Sequence, residues 1–374
     1  MGGSNPDRSY IWLCLYLIEG LGNVGAKELL KAYGSPEAIF SASRKEMEAI
    51  EGIGPKLALN IKQKRFALDP EKEYKKIKRA GARIISCLDP EYPAALKEIY
   101  DPPMLLFAKG RPIPPLGTFI AVVGSRSPSP YGVKMAQKLG KELAEGGVHV
   151  VSGLARGIDG AAHWGCIQGG GYTVGVVGTG VDMVYPASNK KLFERVEESG
   201  TIVSEFPMGI PPEPKNFPIR NRIISGISSG VAVVEATRKS GSLITASQAL
   251  EQGREVFAVP GSALSTRSSG SHYLIKQGAK LVETAEDILE ELGYLRKAEK
   301  QKGEITRTKE ARIVDRLDKK ARALYDLLSD YPLHLDELVR QTGLGAGVVS
   351  GLLMEMELLG LIKQLPFCPI DQQF

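Results

Sequence analysis

Five short turns rich in glycine and serine each follow an apolar run in the middle of the chain, and such turns can bind phosphate. They are Gly124-Ser125-Arg126, Ser152–Asp159, Gly178-Thr179-Gly180, Ser240-Gly241-Ser242 and Pro260-Gly261-Ser262. In a parallel sheet the carboxyl ends of the strands share one edge, where ligands bind. Glycine lets the backbone approach an anion, serine adds hydroxyl donors, and the next helix presents its N-terminus. The sequence therefore predicts a site for a phosphate-bearing ligand at this edge.

Cationic and aromatic side chains accompany these turns. The cations are Arg126, Arg156, Lys215, Arg220, Arg222, Arg238 and Lys239, and the rings are Tyr131, Phe217 and Tyr273. Cations for a backbone and rings for stacking bases are typical of a single-strand site, although for any one ring core packing is the favoured interpretation. The segment 215–222 is the most distinctive. Its arginines at 220 and 222 cannot share one helix face, so at least one is expected to pair with a carboxylate such as Glu205 or Glu235.

Several kinds of chemistry are not supported by the motifs. The sequence has no G-x-x-x-x-G-K-[ST], its first turn is not G-x-G-x-x-G, and its second strand ends at Ser152 rather than at an acidic residue. These features argue against a P-loop NTPase and a nicotinamide cofactor. Asp159 and His163 have the spacing of an acid–base or metal pair, but we interpret them as a helix cap and a packed histidine. The four cysteines form no C-x-x-C, which argues against zinc and disulfides. We therefore predict no catalytic residue, no cofactor and no metal.

The elements that must position these turns alternate between strands and helices from residue 118 to 292. Apolar strands are predicted at 119–123, 149–151, 173–177, 202–204, 231–235 and 256–259, with amphipathic helices at 133–145, 192–199 and 243–252. This alternation predicts an α/β domain whose parallel sheet is covered by helices on both faces.

The flanking segments differ in pattern. Residues 1–68 repeat a glycine–apolar–glycine turn at Gly20 and Gly52 between helical stretches, which resembles helix-hairpin-helix modules that bind nucleic-acid backbones, unless the glycines merely close a bundle. Residues 69–117 are predicted to be a connecting α/β segment with strands at 83–86 and 104–108 and a helix at 93–99. A charged linker at 293–320 precedes helices at 321–329, 335–342 and 346–359 and a strand at 361–365, an order that suggests a winged helix.

Composition limits the setting. The chain has 374 residues, 43% of them hydrophobic, and a net charge of +5. No segment is a basic tail, so a polyanion site must arise from local placement of charge. The apolar run 10–18 is interpreted as a first helix rather than a signal peptide, and the longest charge-free stretch is too rich in glycine for a membrane span. We expect a soluble, reduced, cytoplasmic protein with no membrane partner.

The combined motifs resemble the DNA-processing protein A (DprA/Smf) family. The resemblance covers residues 118–292 in order, and the segments that carry it are Gly124–Arg126, Ser152–Asp159 with His163, Tyr185-Pro186, Ser204-Glu205, Phe217–Arg222, Val234–Ala236, Ser240–Ala246 and Val259–Gly261. The flanking segments fit the three-part layout common in that family. One departure is His272, which stands where the family commonly has Asn.

The resemblance implies a Rossmann-like domain that binds single-stranded DNA without reading its sequence, usually as a homodimer. Members protect incoming DNA during natural transformation, help load the RecA recombinase onto it, and are not known as enzymes. By this resemblance Arg126 is the strand-binding arginine, and Lys215, Phe217 and Arg220 form a cation–aromatic wall. The candidates for DNA contact are Gly124, Ser125, Arg126, Ser152, Gly153, Arg156, Gly157, Gly178, Gly180, Lys215, Asn216, Phe217, Arg220, Arg222, Ser240, Gly241 and Ser242.

Two other functions stay open. The sheet also resembles that of phosphoribohydrolases that cleave nucleotide N-glycosidic bonds through a P-G-G-x-G-T-x-x-E turn. The corresponding segment here, 240–248, has no carboxylate before Glu251. The other alternative is a protein-interaction adaptor whose glycine turns are vestigial. For the C-terminal module we expect a contact with a second copy of this chain or with the main domain, because the helix at 346–359 has no Lys, Arg, Asn or Gln to meet DNA. The alternative is that its apolar side chains only form an internal core.

Overall fold

The computed structural model describes residues 8–293, 317–328, 334–359, 361–364 and 370–372. These residues belong to two compact units, Met1–Ile288 and Leu289–Phe374. Within the described ranges, no helix combines the length and the apolar character that crossing a lipid bilayer requires.

The first unit begins with a small helical bundle. Its helices are α1 (Arg8–Tyr16), α2 (Asn23–Tyr33), α3 (Pro36–Ser41), α4 (Arg44–Glu48) and α5 (Pro55–Lys62). The glycine turns precede α2 and α5, and Gly20 and Gly52 both adopt the left-handed conformation, with φ of 84° and 81°. Asn23 at the start of α2 accepts a hydrogen bond from the Met104 amide at 3.2 Å and donates to the Glu205 carboxylate at 3.3 Å. The first turn therefore contacts the α/β part of the same unit.

The next segment adds strands to the main sheet. It contains α6 (Pro70–Arg79), β1 (Arg83–Ser86), α7 (Ala94–Lys97) and β2 (Leu105–Gly110). β1 pairs antiparallel with β2, and β2 pairs antiparallel with β6 (Thr201–Ser204) of the central domain. The segment at 69–117, predicted as a connection, thus extends the sheet at one edge.

The central α/β domain has the predicted parallel sheet. Its elements are β3 (Phe119–Val123), α8 (Pro130–Glu145), β4 (His149–Ser152), α9 (Ile158–Gln168), β5 (Thr173–Val176), α10 (Lys190–Ser199), β6, α11 (Asn216–Ile227), β7 (Gly230–Val233), α12 (Gly241–Glu251), β8 (Glu255–Ala258), α13 (Ser269–Lys276), β9 (Lys280–Leu281) and α14 (Ala285–Glu291). The strand order is β1-β2-β6-β5-β4-β3-β7-β8-β9, and β3 to β9 pair in parallel. The order reverses between β3 and β7, which is the position where such sheets bind ligands.

Apolar side chains cover both faces of the sheet. In β2, Leu106 and Ala108 join one buried cluster and Leu105 and Phe107 join another, as the two-residue period of a strand requires. All five residues of β3 are buried. This burial on both faces explains why the strands read as continuous apolar runs.

The described part of the second unit has the predicted order of elements. Helices α15 (Lys319–Tyr325), α16 (Leu335–Thr342) and α17 (Ala346–Leu358) precede an antiparallel pair of strands, β10 (Ile362–Gln364) and β11 (Ile370–Gln372). Most of the predicted linker at 293–320, and Ser329 at the end of the first predicted helix, lie outside the described residues. Val349, Leu353 and Met356 of α17 are buried, whereas Met354 and Leu358 are 64% and 81% exposed.

Candidate nucleic-acid interface

Two adjoining clefts lie at the carboxyl edge of the central strands. The main cleft, of about 590 Å³, lies between the Gly124–Arg126 turn, the start of α11 and the turn before α12. The side cleft, of about 570 Å³, lies between Arg126, the turn at 153–156 and residues 183–187. Both clefts are lined by Arg126, Ala155, Tyr185, Pro212, Phe217 and Arg220. The predicted edge therefore carries a concave surface.

Arg126 and Phe217 form the partition between the two clefts. The Arg126 guanidinium lies 4.9 Å from the centroid of the Phe217 ring, and the side chain is exposed. The Tyr185 ring lies 5.9 Å from the same ring with an interplanar angle of 34°. A guanidinium above an aromatic face is attracted by the ring quadrupole and keeps donors for a phosphate. This arrangement offers a cation and stacking surfaces at one place, as a single strand requires.

Arg220 is a buried neighbour of Phe217. It is 4% exposed and donates to the carbonyl oxygens of Gly153, at 2.7 Å, and of Val176. Burial lowers the pKa of its guanidinium to about 10. The predicted wall residue thus binds the backbone of two strand ends. Its guanidinium lies 5.9 Å from the centroid of the Phe217 ring and is the second cation near that ring.

The N-terminus of α12 provides a second group of donors in the main cleft. Gly241 is exposed, and a Cβ built there would meet no atom within 4 Å. The buried Ser242 hydroxyl has no hydrogen-bond partner among the described residues. The Ser240 hydroxyl accepts from the Thr237 amide at 2.9 Å, which holds the turn. Free amides at a helix N-terminus, with Lys239 beside them, can hold a phosphate oxygen.

The other predicted glycines serve internal packing. A Cβ on Gly124 would come within 2.7 Å of Ile158, and one on Gly178 within 3.2 Å of Phe217. Gly153 and Gly180 are equally closed, by Arg220 and Asp159 and by Asp182. Gly157 has a φ of 80°, a conformation that favours glycine. These residues shape the turns, and Gly241 is the one of this set at which an added Cβ would meet no atom within 4 Å.

Three predicted contact residues are corrected by their burial. Ser152 is fully buried, and its hydroxyl donates to the Val122 carbonyl at 2.6 Å. Asn216 donates to the Gly178 carbonyl at 3.2 Å. The Arg222 side chain, 8% exposed, pairs with Asp101 at 3.0 Å and with Glu205. The expectation that one of the two arginines has a structural partner such as Glu205 is therefore confirmed, and none of these three side chains faces a cleft.

The remaining predicted cations lie at the surface. Arg156 is exposed and lines the side cleft. The Lys215 side chain is 76% exposed and pairs with Glu213 at 2.8 Å, outside the set of residues that line the two clefts. The Arg238 guanidinium lies 4.2 Å from the centroid of the Tyr273 ring. His272, at the position of the family's usual Asn, lies 3.1 Å from the Gly261 carbonyl oxygen through Nε2.

The interpretation of His163 as a packed residue is confirmed, whereas Asp159 does not cap its helix: the N-cap of α9 is Gly157, and it has no side-chain cap hydrogen bond. His163 is fully buried with Nδ1 2.7 Å from the Thr173 hydroxyl, and burial lowers its pKa to about 3. Asp159 accepts from the Gly153 amide at 3.1 Å, and burial raises its pKa against the opposing effect of Arg220. Among the described residues, no group of three His, Cys, Asp or Glu side chains could hold a metal ion.

Sequence reasoning missed two features of the clefts. Tyr185 follows the third strand's turn in the Tyr185-Pro186 pair, but nothing in that pair signals that its ring faces Phe217. Asp159 lines the main cleft as its one carboxyl group within the described chain, although its helical position suggested only a cap. A loop brings Tyr185 to the cleft and the start of α9 brings Asp159, and the position of both depends on the sheet.

Each of the three parts of the chain matches a known protein family. Residues 83–293 match the family described as DNA recombination-mediator protein A, residues 308–366 the DprA winged helix domain, and residues 16–64 the SAM-like helix-hairpin-helix tandem. The chain is 33% identical to Protein Smf of Synechocystis sp. over 395 aligned residues, which cover 97% of this chain and 98% of that protein.

Two solved structures are also similar. DNA processing protein A of Streptococcus pneumoniae superposes with a TM-score of 0.66 and 38% identity over 78% of this chain and 99% of that one. DNA processing protein A of Helicobacter pylori, from work on its single-stranded DNA binding mode, has a TM-score of 0.51 and 26% identity over 56% of this chain and 95% of that one.

Proposed function

Since this chain belongs to the DNA recombination-mediator protein A family, we propose that it binds single-stranded DNA in the two clefts at the carboxyl edge of its sheet. The observation that carries this proposal is the exposed Arg126 guanidinium stacked on Phe217 where the clefts meet. A phosphate binds Arg126, and the adjacent bases stack on Phe217 and Tyr185. The N-terminus of α12 holds a further phosphate in the main cleft.

Binding of this kind is largely independent of base sequence. The donors at the cleft are a guanidinium, backbone amides and serine hydroxyls placed for phosphate oxygens, and the rings accept any base because every base has an aromatic face. A duplex keeps its bases stacked inside, so the rings contribute nothing to its binding. The protein therefore prefers single strands and loses affinity as salt rises.

Family membership supports a proposal for the cellular role. We propose that the protein protects single-stranded DNA in the cytoplasm, acts as a homodimer and helps load a RecA-type recombinase during recombination and natural transformation. RecA and a second copy of the chain are then its protein partners. The exposed apolar side chains of α17, Met354 and Leu358 among them, are suited to a protein contact rather than to DNA.

We propose no catalytic activity. A phosphoribohydrolase needs a carboxyl group that can reach the glycosidic bond, and Asp159 is the candidate that the main cleft offers within the described residues. Its carboxylate already accepts from the Gly153 amide, and the residue is 7% exposed. An adaptor with vestigial turns would not need an exposed cation stacked on a ring between two clefts.

One titration separates these functions. Fluorescent oligo-dT is titrated with the protein at several salt concentrations, with a duplex of equal length as the control, and a nucleoside monophosphate is assayed in parallel for released base. Strand-selective binding that weakens with salt supports the proposal. Release of base supports the enzyme. The absence of both binding and base release supports the adaptor.

A further inference from the structure

Glu235 holds both ends of the loop that carries Arg126. The residue follows β7 closely and is 4% exposed. Its main-chain oxygen accepts from the Ser125 amide at 2.7 Å, directly before Arg126. Its carboxylate accepts from the Ser129 amide at 2.7 Å and from the Ser129 hydroxyl at 2.8 Å. One residue of a neighbouring strand end therefore fixes the loop from 125 to 129 on either side of Arg126.

The same carboxylate lies at the N-terminus of α8. Ser129 is the N-cap of this helix, and its hydroxyl accepts from the Gly132 amide at 3.1 Å while it donates to Glu235. A negative charge is stabilised at this end of a helix. A Cβ on Gly132 would come within 2.7 Å of the Glu235 carboxylate, so the glycine leaves the room that the carboxylate occupies.

Among the described residues, no hydrogen bond or ion pair anchors the Arg126 side chain in a comparable way. Its side chain is exposed, and the contact that places it is the stack on Phe217. The direction in which it leaves the backbone therefore depends on the loop, which is held by the three hydrogen bonds to Glu235 and by the bond from the Ile158 amide to the Ser125 carbonyl at 3.1 Å. If the carboxylate is lost, the Ser129 end of the loop is held less tightly and Arg126 samples more orientations.

We propose that Glu235 is a positioning residue for DNA binding, which acts by holding Arg126 over Phe217. The proposal rests on the proposed function of the clefts. It assigns to a buried carboxylate, which would repel a phosphate on its own, a favourable effect on the affinity for a strand. The effect passes through Arg126 and not through any contact of Glu235 with DNA.

The test is a double-mutant cycle with oligo-dT. Glu235→Gln keeps the shape of the side chain but replaces one acceptor oxygen with a donor, so it removes about one hydrogen bond of the loop and is expected to weaken binding roughly 3- to 10-fold. In the Arg126→Ala background the same change is expected to have an effect of less than about 2-fold, because the group that it positions is absent. Glu194→Gln, which removes the same charge from an exposed site on α10, is the matched control and should bind like the parent.

A second measurement does not depend on DNA. Amide hydrogen exchange should accelerate in the segment 124–132 of Glu235→Gln. The exchange rates of the strands should be unchanged, and the thermal midpoint should stay close to that of the parent. If Glu235→Gln does not fold, Ser129→Ala, which removes the hydroxyl's bonds to Glu235 and to the Gly132 amide but keeps the main-chain bond to Glu235, enters the same cycle. Equal losses in both backgrounds, no loss in either, or unchanged exchange in this segment would overturn the positioning role. If the parent protein fails to bind oligo-dT, the proposed function is wrong, and the exchange experiment still decides whether Glu235 holds the loop.

Discussion

Replacement of Arg126 by alanine is the most direct test of the interface. The side chain reaches the point where the two clefts meet, and a charge-assisted contact to phosphate is worth about 1.5–3 kcal/mol, which corresponds to roughly 10- to 150-fold in affinity. The change also removes the stack on Phe217, 4.9 Å away. At an exposed site such a stack is worth about 0.5–1 kcal/mol, so the folded protein loses little stability.

The assay is fluorescence anisotropy with a short oligo-dT strand across a range of salt concentrations. Arg126→Ala should weaken binding by the factor above and reduce the slope of log affinity against log salt by about 0.7, the value for one phosphate contact on a single strand. Arg126→Lys should restore the slope but only part of the affinity, because an ammonium does not reproduce the guanidinium fork.

The control is Arg195→Ala, which removes an exposed arginine of α10 that lines neither cleft. Its affinity and slope should match those of the parent. Thermal midpoints of all variants should stay within about 4 °C of the parent. If Arg126→Ala binds with the parent's affinity and slope, the strand does not meet this arginine, and the assignment of the two clefts as the DNA site is refuted.

Three further predictions concern the stacking ring, a buried histidine and the C-terminal unit. Phe217→Leu should weaken oligo-dT binding by about 5- to 100-fold because stacking on the ring is lost, whereas Phe217→Tyr should retain most of the affinity in the same titration. The pKa of His163 is about 3 when folded against 6.5 for the free side chain, so the unfolded chain binds a proton that the native chain does not between these values. The contribution of His163 to the free energy of unfolding should therefore be fully present above pH 6.5 and fall by about 1.4 kcal/mol per pH unit between pH 6.5 and about pH 3. Urea titrations of His163→Asn should show a shallower decline, and an equal decline would mean that other groups cause it. A chain that ends at Glu291 should bind a short dT strand within about 2-fold of the parent and differ in self-association by light scattering, and a large loss of affinity in the folded, shortened chain would place DNA contacts in the C-terminal unit.

The local pattern along the chain determined the elements and their class. The strands at 119–123 and 83–86 have the bounds that apolar runs and turn residues predict, because these signals act within a few residues. The edge at which a site would lie followed as well, since parallel strands bring their carboxyl ends together. Arg126 could be selected on these grounds, because it comes directly after the first strand of the sheet.

Burial within the α/β domain could be decided only by the tertiary structure. The run at 215–222 reads as a cluster of cations around a ring, yet the sheet and its neighbours enclose α11 so completely that Arg220 and Arg222 bind backbone carbonyls and carboxylates inside the protein. A helix that is covered on nearly all sides has no exposed face for a sequence period to reveal. Which arginine remains outside is set by packing.

The partners of a side chain are also a tertiary property when they lie far apart in sequence. Glu235 meets Ser129 across 106 residues because β7 lies beside β3, and this contact aims the loop of Arg126. The antiparallel pairing of β2 with β6 has the same origin, since the segment at 69–117 gives no sign of which strand it will join. Composition and spacing determined which chemistry was available at the sheet edge, whereas strand order decided which residues reach the clefts and which ones hold them in place.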